Sequence, residues 1–438
     1  MSNQVKEKMM KAAPNRWFTF CILVFSGGVA FKMSSIKDMF YVPMQEFMGL
    51  SNTQIGAGLS AYGIVQTIGL IAGLYICDRF SKKYMISFSL FAISISGLYL
   101  ATFPGYYGFL AIFAVLAFFG EVTYWPVLLK AVKLTGTEKD QGRMFGFLEM
   151  GRGIVDVIIA SSAVALFGLM GETPAALRAG FIFLSAVIFV AGILCFIFIP
   201  NDVMDTRDKD GNEIGKNKAA LFGMMEALKS VEIWAVALNG FMVYCVYCGL
   251  TYFIPFLSTI YGLPAVMLGF YGIANQYGLK MIGGPVGGFL SDKVHHSATK
   301  HIRGGFVVAA AAMVLFMLIP HEALGASGNY MVGMVCTLGF GAIIFTMRAV
   351  FFAPMDEVRV RPQITGAAMS LGCLIIYLPN TFAYVLYGSL LDKYPGMEGF
   401  RKIFMLMIGF CVIGFFVSSW LVRIIRKKQQ AEPLNSAQ

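Results

Sequence analysis

Long apolar stretches separated by short polar ones make up almost the whole chain. An α-helix needs about 20 apolar residues to cross the hydrocarbon core of a bilayer. Windows of that kind predict spans 1 to 12 near residues 17–42, 53–77, 84–103, 107–132, 143–168, 179–200, 232–260, 265–290, 305–320, 330–355, 364–390 and 400–425. The pattern therefore predicts an all-α membrane protein with twelve transmembrane helices.

One connection is longer and more polar than the others. Residues 201–230 begin with a stretch rich in Asp, Lys, Asn and Gly, a composition that buries little apolar surface. This segment divides the spans six and six. We therefore predict an N-terminal six-helix bundle over residues 1–200, a cytoplasmic linker loop over 201–230 and a C-terminal six-helix bundle over 231–438.

Composition and charge agree with this reading. The chain has 438 residues, of which 58% are hydrophobic and only 13% charged, and its mean hydropathy is +0.71. The net charge of +10 does not indicate nucleic-acid binding, because the basic residues are spread over many short loops. If the N-terminus is cytoplasmic, 24 of the 34 lysines and arginines lie on the cytoplasmic side and four outside. This bias predicts that both termini are cytoplasmic.

Nothing in the sequence indicates a metal site, a cofactor or catalysis. The eight cysteines lie in or beside apolar runs, where cysteine acts as a small hydrophobic residue. Cys245 and Cys248 have a C-x-x-C spacing but no flanking polar ligands, so we assign them to packing. The four histidines fall in predicted loops. No histidine with a carboxylate, and no nucleophile constellation, occurs within the spans, so we predict that the protein is not an enzyme.

Cationic side chains at membrane depth are the main chemical signal. Their positions are Lys32, Lys37, Arg152, Lys280 and Arg348. A charge at the centre of a bilayer costs about 2.5 to 3.5 kcal/mol even on the lenient insertion scale. At a rise of 1.5 Å per residue, all but Lys37 lie about 11 to 22 Å from the cytoplasmic end of their span. These charges predict an anion path.

Two of these cations have acidic neighbours in sequence. Glu149 and Asp156 lie three residues before and four residues after Arg152, so all three can share one helix face. The group can be a structural network, or it can serve gating or proton coupling. Lys37 is followed by Asp38 near the end of span 1, where its stem can extend to water.

The remaining cations lack an acidic residue on their own helix face. For Lys32, Lys280 and Arg348 at least part of the compensating charge must come from other helices or from the substrate, and we favour a functional role. Glu121 in span 4 is the carboxylate in the same layer. Because burial and a nearby cation shift a carboxyl pKa in opposite directions, Glu121 is a candidate for proton coupling, together with Glu149 and Asp156. The alternative is a permanent salt bridge.

Neutral polar residues complete the predicted site. Tyr62 and Gln66 are four residues apart on span 2, and Gln276 and Lys280 are four apart on span 8, with Asn275 beside them. Weaker candidates, which packing would equally explain, are Trp125, Tyr244, Tyr377 and Asn380. The glycine-rich run 283–288 is predicted to break the helix of span 8, as a hinge or for close packing.

Two short loops carry a family resemblance. The loop after span 2 reads Asp78-Arg79-Phe80-Ser81-Lys82-Lys83, and the loop after span 8 reads Gly288-Phe289-Leu290-Ser291-Asp292-Lys293. Both resemble the G-x-x-x-D-[RK]-x-G-[RK]-[RK] loop of the major facilitator superfamily. The resemblance implies two six-helix bundles, each an inverted pair of three-helix repeats, with the substrate near the midplane. It also implies gating roles for Asp78, Arg79, Gly288 and Asp292.

A second resemblance concerns the substrate. Residues 149–153 and 348–357, with Thr365 and Gly366, are similar to a bacterial group related to nitrate/nitrite transporters and organic-anion porters. Span 2 lacks the mid-membrane arginine of the nitrate group, and span 5 lacks the Gly-Pro signature of drug antiporters. This leaves an organic anion.

We therefore expect a secondary active transporter of the cytoplasmic (inner) membrane, working as a monomer by alternating access. Its substrate would be a small organic anion (a sugar acid, another carboxylate, a sulfonate or a phosphate ester) carried by proton symport. Anion exchange is one alternative. The other is a membrane sensor that binds the same ligand without transporting it.

Overall fold

A computed structural model describes residues 16–76, 81–135, 141–200, 226–326, 328–360 and 365–435. Every regular element within these ranges is a helix, which confirms the all-α prediction. Nine helical segments of the described chain are long and apolar enough to cross a membrane: Lys82–Leu100, Tyr106–Val132, Gly146–Leu169, Pro174–Phe198, Val231–Tyr261, Ala298–Leu318, Tyr330–Ala349, Ala368–Lys393 and Met397–Lys428. They correspond to predicted spans 3 to 7 and 9 to 12.

The other three predicted spans are also helical. Span 1 consists of helices Arg16–Val29 and Lys37–Met48, with turns between them. Span 2 is helix Asn52–Ile76, which ends at the edge of a described range. Span 8 contains two α-helical segments around a π-helical turn, Ala265–Ile273 and Leu279–Phe289. In span 1 the turns leave an apolar helix of only 14 residues, Arg16–Val29, which is too short to cross a membrane alone.

The chain packs into two compact units. Unit 1 contains Met1–Leu50 and Ile64–Ile214, and unit 2 contains Ser51–Gly63 and Gly215–Gln438. Most of the predicted linker 201–230 lies outside the described residues, and residues 226–229 are helical. The predicted bundle boundaries remain a prediction.

Unit 1 holds spans 1 and 3 to 6 with the second half of span 2. Its core includes Phe40, whose ring centroid lies 5.5 Å from that of Phe167 and 6.0 Å from that of Phe181 in edge-to-face contacts. Span 1 approaches span 5 closely at Gly28, where a Cβ would lie only 2.6 Å from the Cβ of Val155. The helices of spans 3 to 6 are Lys82–Leu100, Tyr106–Ala117, Phe118–Tyr124 (π-helical), Trp125–Thr135, Gln141–Leu169 and Pro174–Phe198.

Unit 2 holds spans 7 to 12. Phe256 anchors an aromatic core, with ring centroids 5.2 to 5.5 Å from those of Phe316, Phe400 and Phe404. The helices besides those of span 8 are Val231–Gly249, Leu250–Tyr252 (3₁₀), Phe253–Tyr261, Ala298–Leu318, His321–Ala326, Tyr330–Ala349, Pro354–Glu357, Thr365–Tyr377, Leu378–Thr381 (3₁₀), Ala383–Lys393 and Met397–Asn435.

The first turns of span 2 pack on span 11 within unit 2. Asp392 accepts hydrogen bonds from the backbone and side-chain nitrogens of Asn52, at 3.1 and 2.9 Å, and from the backbone nitrogen of Thr53 at 2.7 Å. It thereby satisfies two backbone N–H groups that have no partner within the helix. Sequence reasoning missed Asp392, because its partners are 340 residues away.

The glycine-rich run 283–288 behaves differently from the prediction. It lies within the α-helix Leu279–Phe289, so the predicted break at this run is wrong. A Cβ at Gly283 would lie 2.7 Å from the Cβ of Phe345, and one at Gly287 would lie 2.4 Å from the carbonyl oxygen of Thr346. These glycines therefore serve the close packing of span 8 on span 10, which was the alternative reading.

Candidate functional site

Irregular backbone lies at or beside several of the residues that were predicted to carry chemistry. Lys32 lies in the turns that interrupt span 1, and Glu121 lies in the π-helical stretch Phe118–Tyr124 of span 4. Gln276 lies in the π-helical turn Ala274–Gly278 of span 8, and regular helix ends one residue after Arg348. Irregular backbone at membrane depth is tolerated only where it is buried in protein or lines a water-filled cavity. π-Helical turns also occur frequently at functional sites.

Spans 1 and 5 of unit 1 share a buried ion pair. The Nζ atom of Lys32 lies 2.6 Å from a carboxylate oxygen of Asp156, and only 1% and 11% of the two side chains are exposed. The compensating charge of Lys32 thus comes from another helix. The close approach at Gly28 brings the two spans near enough for this pair.

Arg152 is paired on its own helix. Its Nη1 atom donates a hydrogen bond of 2.8 Å to the carboxylate of Glu149, and its Nε atom donates one of 3.1 Å to the carbonyl oxygen of Gly27. The predicted link with Glu149 is therefore present, whereas the ion pair of Asp156 is with Lys32.

Aromatic rings cover the guanidinium of Arg152. Its Cζ atom lies 4.3 Å from the ring centroid of Trp125 and 5.8 Å from that of Phe31. A cation held over aromatic rings gains electrostatic stabilisation. The structure thus places Trp125 against a cation of its own unit.

Lys37 is also paired. It forms a hydrogen bond and an ion pair with Asp38, and both side chains are buried. In unit 1, therefore, Lys32, Lys37 and Arg152 each have a carboxylate partner.

Arg348 in unit 2 has a different environment. Its Cζ atom lies 4.1 Å from the ring centroid of Tyr247 and 5.8 Å from those of Tyr244 and Phe345. Its Nε atom is buried and has no hydrogen-bond partner among the described residues. None of the ion pairs within the described part of the chain involves Arg348. A membrane-depth guanidinium is thus enclosed by rings rather than by carboxylates.

Hydrogen bonds hold two of these tyrosines in place. Tyr247 donates a hydrogen bond of 2.9 Å to the Oε1 atom of Gln276, and the amide of Asn380 donates one of 3.3 Å to the hydroxyl of Tyr244. The rings of Tyr244 and Tyr377 meet edge to face with centroids 5.1 Å apart. Tyr247 was not among the predicted residues. Its position three residues after Tyr244 on an apolar helix is the one signal that could have indicated it.

The other residues predicted on span 8 face different surroundings. Asn275 is fully buried, and a Cβ at Gly341 of span 10 would lie 2.8 Å from its Oδ1 atom, so Asn275 takes part in helix packing. Gln276 is buried and points to Tyr247, whereas Lys280 is exposed on the helix surface. On spans 2 and 4, Tyr62, Gln66 and Glu121 are half-buried.

The two predicted gating loops are described unequally. Asp78 and Arg79 lie outside the described residues. Gly288 is half-buried at the end of span 8, and Asp292 is exposed in the π-helical turn Leu290–Val294. Beside this loop, Glu357 accepts hydrogen bonds from the hydroxyls of Ser297 and Thr299, at 3.1 and 2.6 Å, and from two backbone nitrogens at the start of span 9. Sequence reasoning gave Glu357 no such capping role.

Metal-binding chemistry has no candidate in the described ranges. No group of three or more His, Cys, Asp or Glu side chains there could hold a metal ion. Cys245 and Cys248 are both buried, as expected for packing residues, and the thiol of Cys248 donates a hydrogen bond of 3.8 Å to the Oδ1 atom of Asn380. His301 and His321 lie at the starts of helices, not in loops.

The fold and these intramembrane charges define a polytopic membrane protein with a charged interior. A profile of the Major Facilitator Superfamily matches residues 20–378. The chain belongs to this superfamily and is a membrane transporter with the twelve-helix fold of that family. Because the family consists of transporters, the prediction that the chain is not an enzyme is confirmed.

Individual proteins agree with this assignment. The inner membrane protein YihN of Escherichia coli (strain K12) is 44% identical over 420 residues, covering 95% of this chain and 97% of that protein. A bacterial homologue of the human lysosomal transporter Spinster, inward-facing and occupied, is similar in structure with a TM-score of 0.75 at 16% identity, covering 95% of this chain and 98% of that one. The nucleoside transporter NupG has a TM-score of 0.71 at 12% identity, covering 93% and 99%. At these identities the structural likeness concerns the fold alone.

Proposed function

We propose that this transporter carries a small organic anion across the inner membrane and that Arg348 binds the anion. The observation that supports this most is the environment of the Arg348 guanidinium, which is enclosed by aromatic rings and has a buried Nε–H without a hydrogen-bond partner among the described residues. A buried donor left unsatisfied costs about 1 to 3 kcal/mol, and more when it is charged. A bound oxyanion would satisfy both the donor and the charge.

The contrast between the units supports this choice of residue. Lys32 and Arg152 of unit 1 have carboxylate partners, so their charges are already compensated. Arg348 has no such partner in the described chain. An anion therefore gains more from Arg348 than from either cation of unit 1. Lys32, Trp125 and Arg152 become secondary candidates for substrate contact.

The chemistry of the guanidinium indicates the class of anion. An arginine presents several N–H donors in one plane and binds two oxygens of a carboxylate or phosphate side by side. Tyr247 contacts the guanidinium through its ring, with Cζ 4.1 Å from the ring centroid, so this contact uses none of the N–H donors as a conventional hydrogen bond to oxygen. A carboxylate, a sulfonate and a phosphate ester all have this arrangement of oxygens. The exposed Lys280 and the half-buried Tyr62 and Gln66 are further proposed contacts.

Proton symport is the proposed driving reaction. Glu121 is half-buried in a π-helical stretch, and the buried Lys32–Asp156 pair is a second place where protonation would change a charge pair. Glu149 is more exposed than Asp156, with 51% of its side chain accessible, so it is the weaker candidate. Anion exchange would need none of these protons. A sensor without transport is the remaining alternative.

Further parts of the proposal concern location and movement. The named inner membrane relative and the distribution of lysine and arginine support an inner membrane protein with both termini in the cytoplasm. Family membership supports alternating access and a monomer. In this scheme the loops with Asp78, Arg79, Gly288 and Asp292 take part in gating.

Uptake into liposomes tests the function directly. Purified protein is reconstituted, and uptake of gluconate, isethionate and glycerol 3-phosphate is measured with and without an imposed pH gradient. We expect at least one of these anions to accumulate when the outside is acidic. Uptake that does not change with the imposed pH gradient or voltage would exclude proton symport. An anion that binds to the protein but is not taken up would favour the sensor.

A further inference from the structure

The buried side chain of Gln276 carries an inference about how Arg348 is held. Sequence spacing placed Gln276 with Lys280 on one helix face, toward the substrate. In the structure Gln276 is 6% exposed, and within the described residues its side chain has one hydrogen bond, from the hydroxyl of Tyr247. The amide therefore faces span 7 and not an open cavity.

Tyr247 is the link between Gln276 and the cation. The contacts of its ring are with Arg348, at 4.1 Å from Cζ to the ring centroid, with Tyr244 at 5.1 Å and with Phe345 at 5.6 Å. Its ring is half-buried. The hydrogen bond fixes the position of the hydroxyl oxygen and so restricts χ1 of Tyr247. Because a phenolic O–H prefers to lie in the plane of its ring, the direction of the acceptor also favours one setting of χ2. The position of the ring beside the guanidinium is thus set in part from span 8.

The backbone of span 8 explains why Gln276 reaches Tyr247. Gln276 lies in the π-helical turn Ala274–Gly278, between the α-helical segments Ala265–Ile273 and Leu279–Phe289. A π-helical turn adds a residue to one turn of helix and so rotates the side chains on either side of it. This rotation separates the direction of Gln276 from that of Lys280, which a regular helix would place on the same face.

We propose that Gln276 is a positioning residue that acts through Tyr247 to fix the plane of the Arg348 guanidinium. This inference rests on the proposed role of Arg348 in binding the substrate anion. Two parallel hydrogen bonds to an anion require a fixed guanidinium plane, because both oxygens must meet N–H groups at once. Loss of the hydrogen bond from Tyr247 to Gln276 leaves the charge of Arg348 in place but allows the plane of its guanidinium to rotate.

A double-mutant cycle tests the inference. Wild type, Gln276→Leu, Tyr247→Phe and the double variant are titrated calorimetrically with gluconate, isethionate and glycerol 3-phosphate in the same detergent. For a probe that the wild type binds, we expect each single variant to raise Kd by roughly 5- to 30-fold. The Kd of the double variant should be no higher than that of the more affected single variant, because both substitutions break the same hydrogen bond between Tyr247 and Gln276.

Two controls accompany the cycle. Tyr387→Phe removes another buried tyrosine hydroxyl of unit 2, which donates a hydrogen bond of 2.9 Å to the carbonyl oxygen of Cys245. This variant should leave Kd unchanged. Arg348→Gln should abolish binding of the same probe. A general loss of packing would weaken binding in the Tyr387 variant as well, and that result would overturn the positioning role.

The remaining outcomes separate this inference from the proposed function. If Arg348→Gln abolishes binding while Gln276→Leu leaves Kd unchanged, the positioning role is wrong and the anion site stands. If the effects of the two single variants multiply in the double variant, Gln276 acts on the anion independently of Tyr247, and the inference is again overturned. If the wild type binds none of the three probes, the proposed function fails and this inference fails with it.

Discussion

Replacing Arg348 by glutamine tests whether this cation serves substrate binding or the stability of the fold. Loss of one partner from a buried, hydrogen-bonded charge pair costs about 2 to 5 kcal/mol. If the pair forms only when the anion binds, this cost appears entirely in the affinity, as a rise in Kd of roughly 30-fold to several thousand-fold. Arg348→Lys keeps the charge but loses the planar donors and the contact with Tyr247, so we expect a loss of about tenfold or more.

Stability without substrate is the second half of this experiment. In the described chain Arg348 has no carboxylate partner, so Arg348→Gln leaves no acidic side chain without its ion-pair partner. The unfolding temperature without ligand should therefore be unchanged or higher. Lys32→Gln is the matched contrast, because it leaves the buried Asp156 without its partner. Removing one member of a buried pair typically costs 3 to 5 kcal/mol, so this variant should unfold at a clearly lower temperature.

The assay is thermal unfolding of the purified variants in detergent, with and without each anion. A bound ligand raises the apparent stability by RT ln(1 + [L]/Kd), so the ligand-induced shift reports the affinity. We expect the wild type to show the shift and Arg348→Gln to lose it. A lower unfolding temperature for Arg348→Gln without ligand, together with an unchanged shift, would refute the reasoning.

Three further predictions follow from other parts of the molecule. Glu121→Gln should still exchange substrate across liposomes at equal concentrations but fail to accumulate it under a pH gradient, as measured by counterflow and uptake. Asp392→Ala removes the acceptor for two backbone N–H groups at the start of span 2, so the free energy of unfolding should fall by about 1 to 2 kcal/mol. Asp392→Asn keeps one acceptor oxygen and should lose less stability. Burial, followed by the positive charge of Arg401, lowers the pKa of His321 below its ordinary 6.5. The unfolded chain then binds the proton more readily, so the contribution of His321 to stability should be constant above about pH 6.5 and decrease below it, and His321→Gln should make the slope of thermal stability with pH shallower in this window.

The helices could be predicted from the sequence because each depends on a local property. The number of consecutive apolar residues locates a span, and the i, i+3 spacing of Glu149 and Arg152 gave their ion pair. The cationic positions were also visible, since a charge in an apolar run stands out in any single sequence. These inferences need only one helix at a time.

The partners of those charges depend on how helices meet, and the sequence did not show this. Asp156 pairs with Lys32 because span 1 lies close to span 5 at Gly28, a contact between residues more than a hundred positions apart. The rotation of Gln276 toward Tyr247 depends on a π-helical turn, which periodicity with a fixed repeat of 3.6 residues cannot represent.

The arrangement of charges leads to the hypothesis that the two units have different roles in coupling, which variants of Lys32 and Arg348 can test. A carboxylate paired with a cation changes its charge on protonation, and Lys32 with Asp156 in unit 1 has that property. An arginine surrounded by tyrosines keeps its charge and offers donors at its edge, and Arg348 in unit 2 has that property. If protons act on unit 1 and the anion on unit 2, each ligand changes the charge of a different unit. Coupling would then arise because the two ligands together favour one state of the transporter, so that Lys32 variants should lose accumulation while Arg348 variants lose binding.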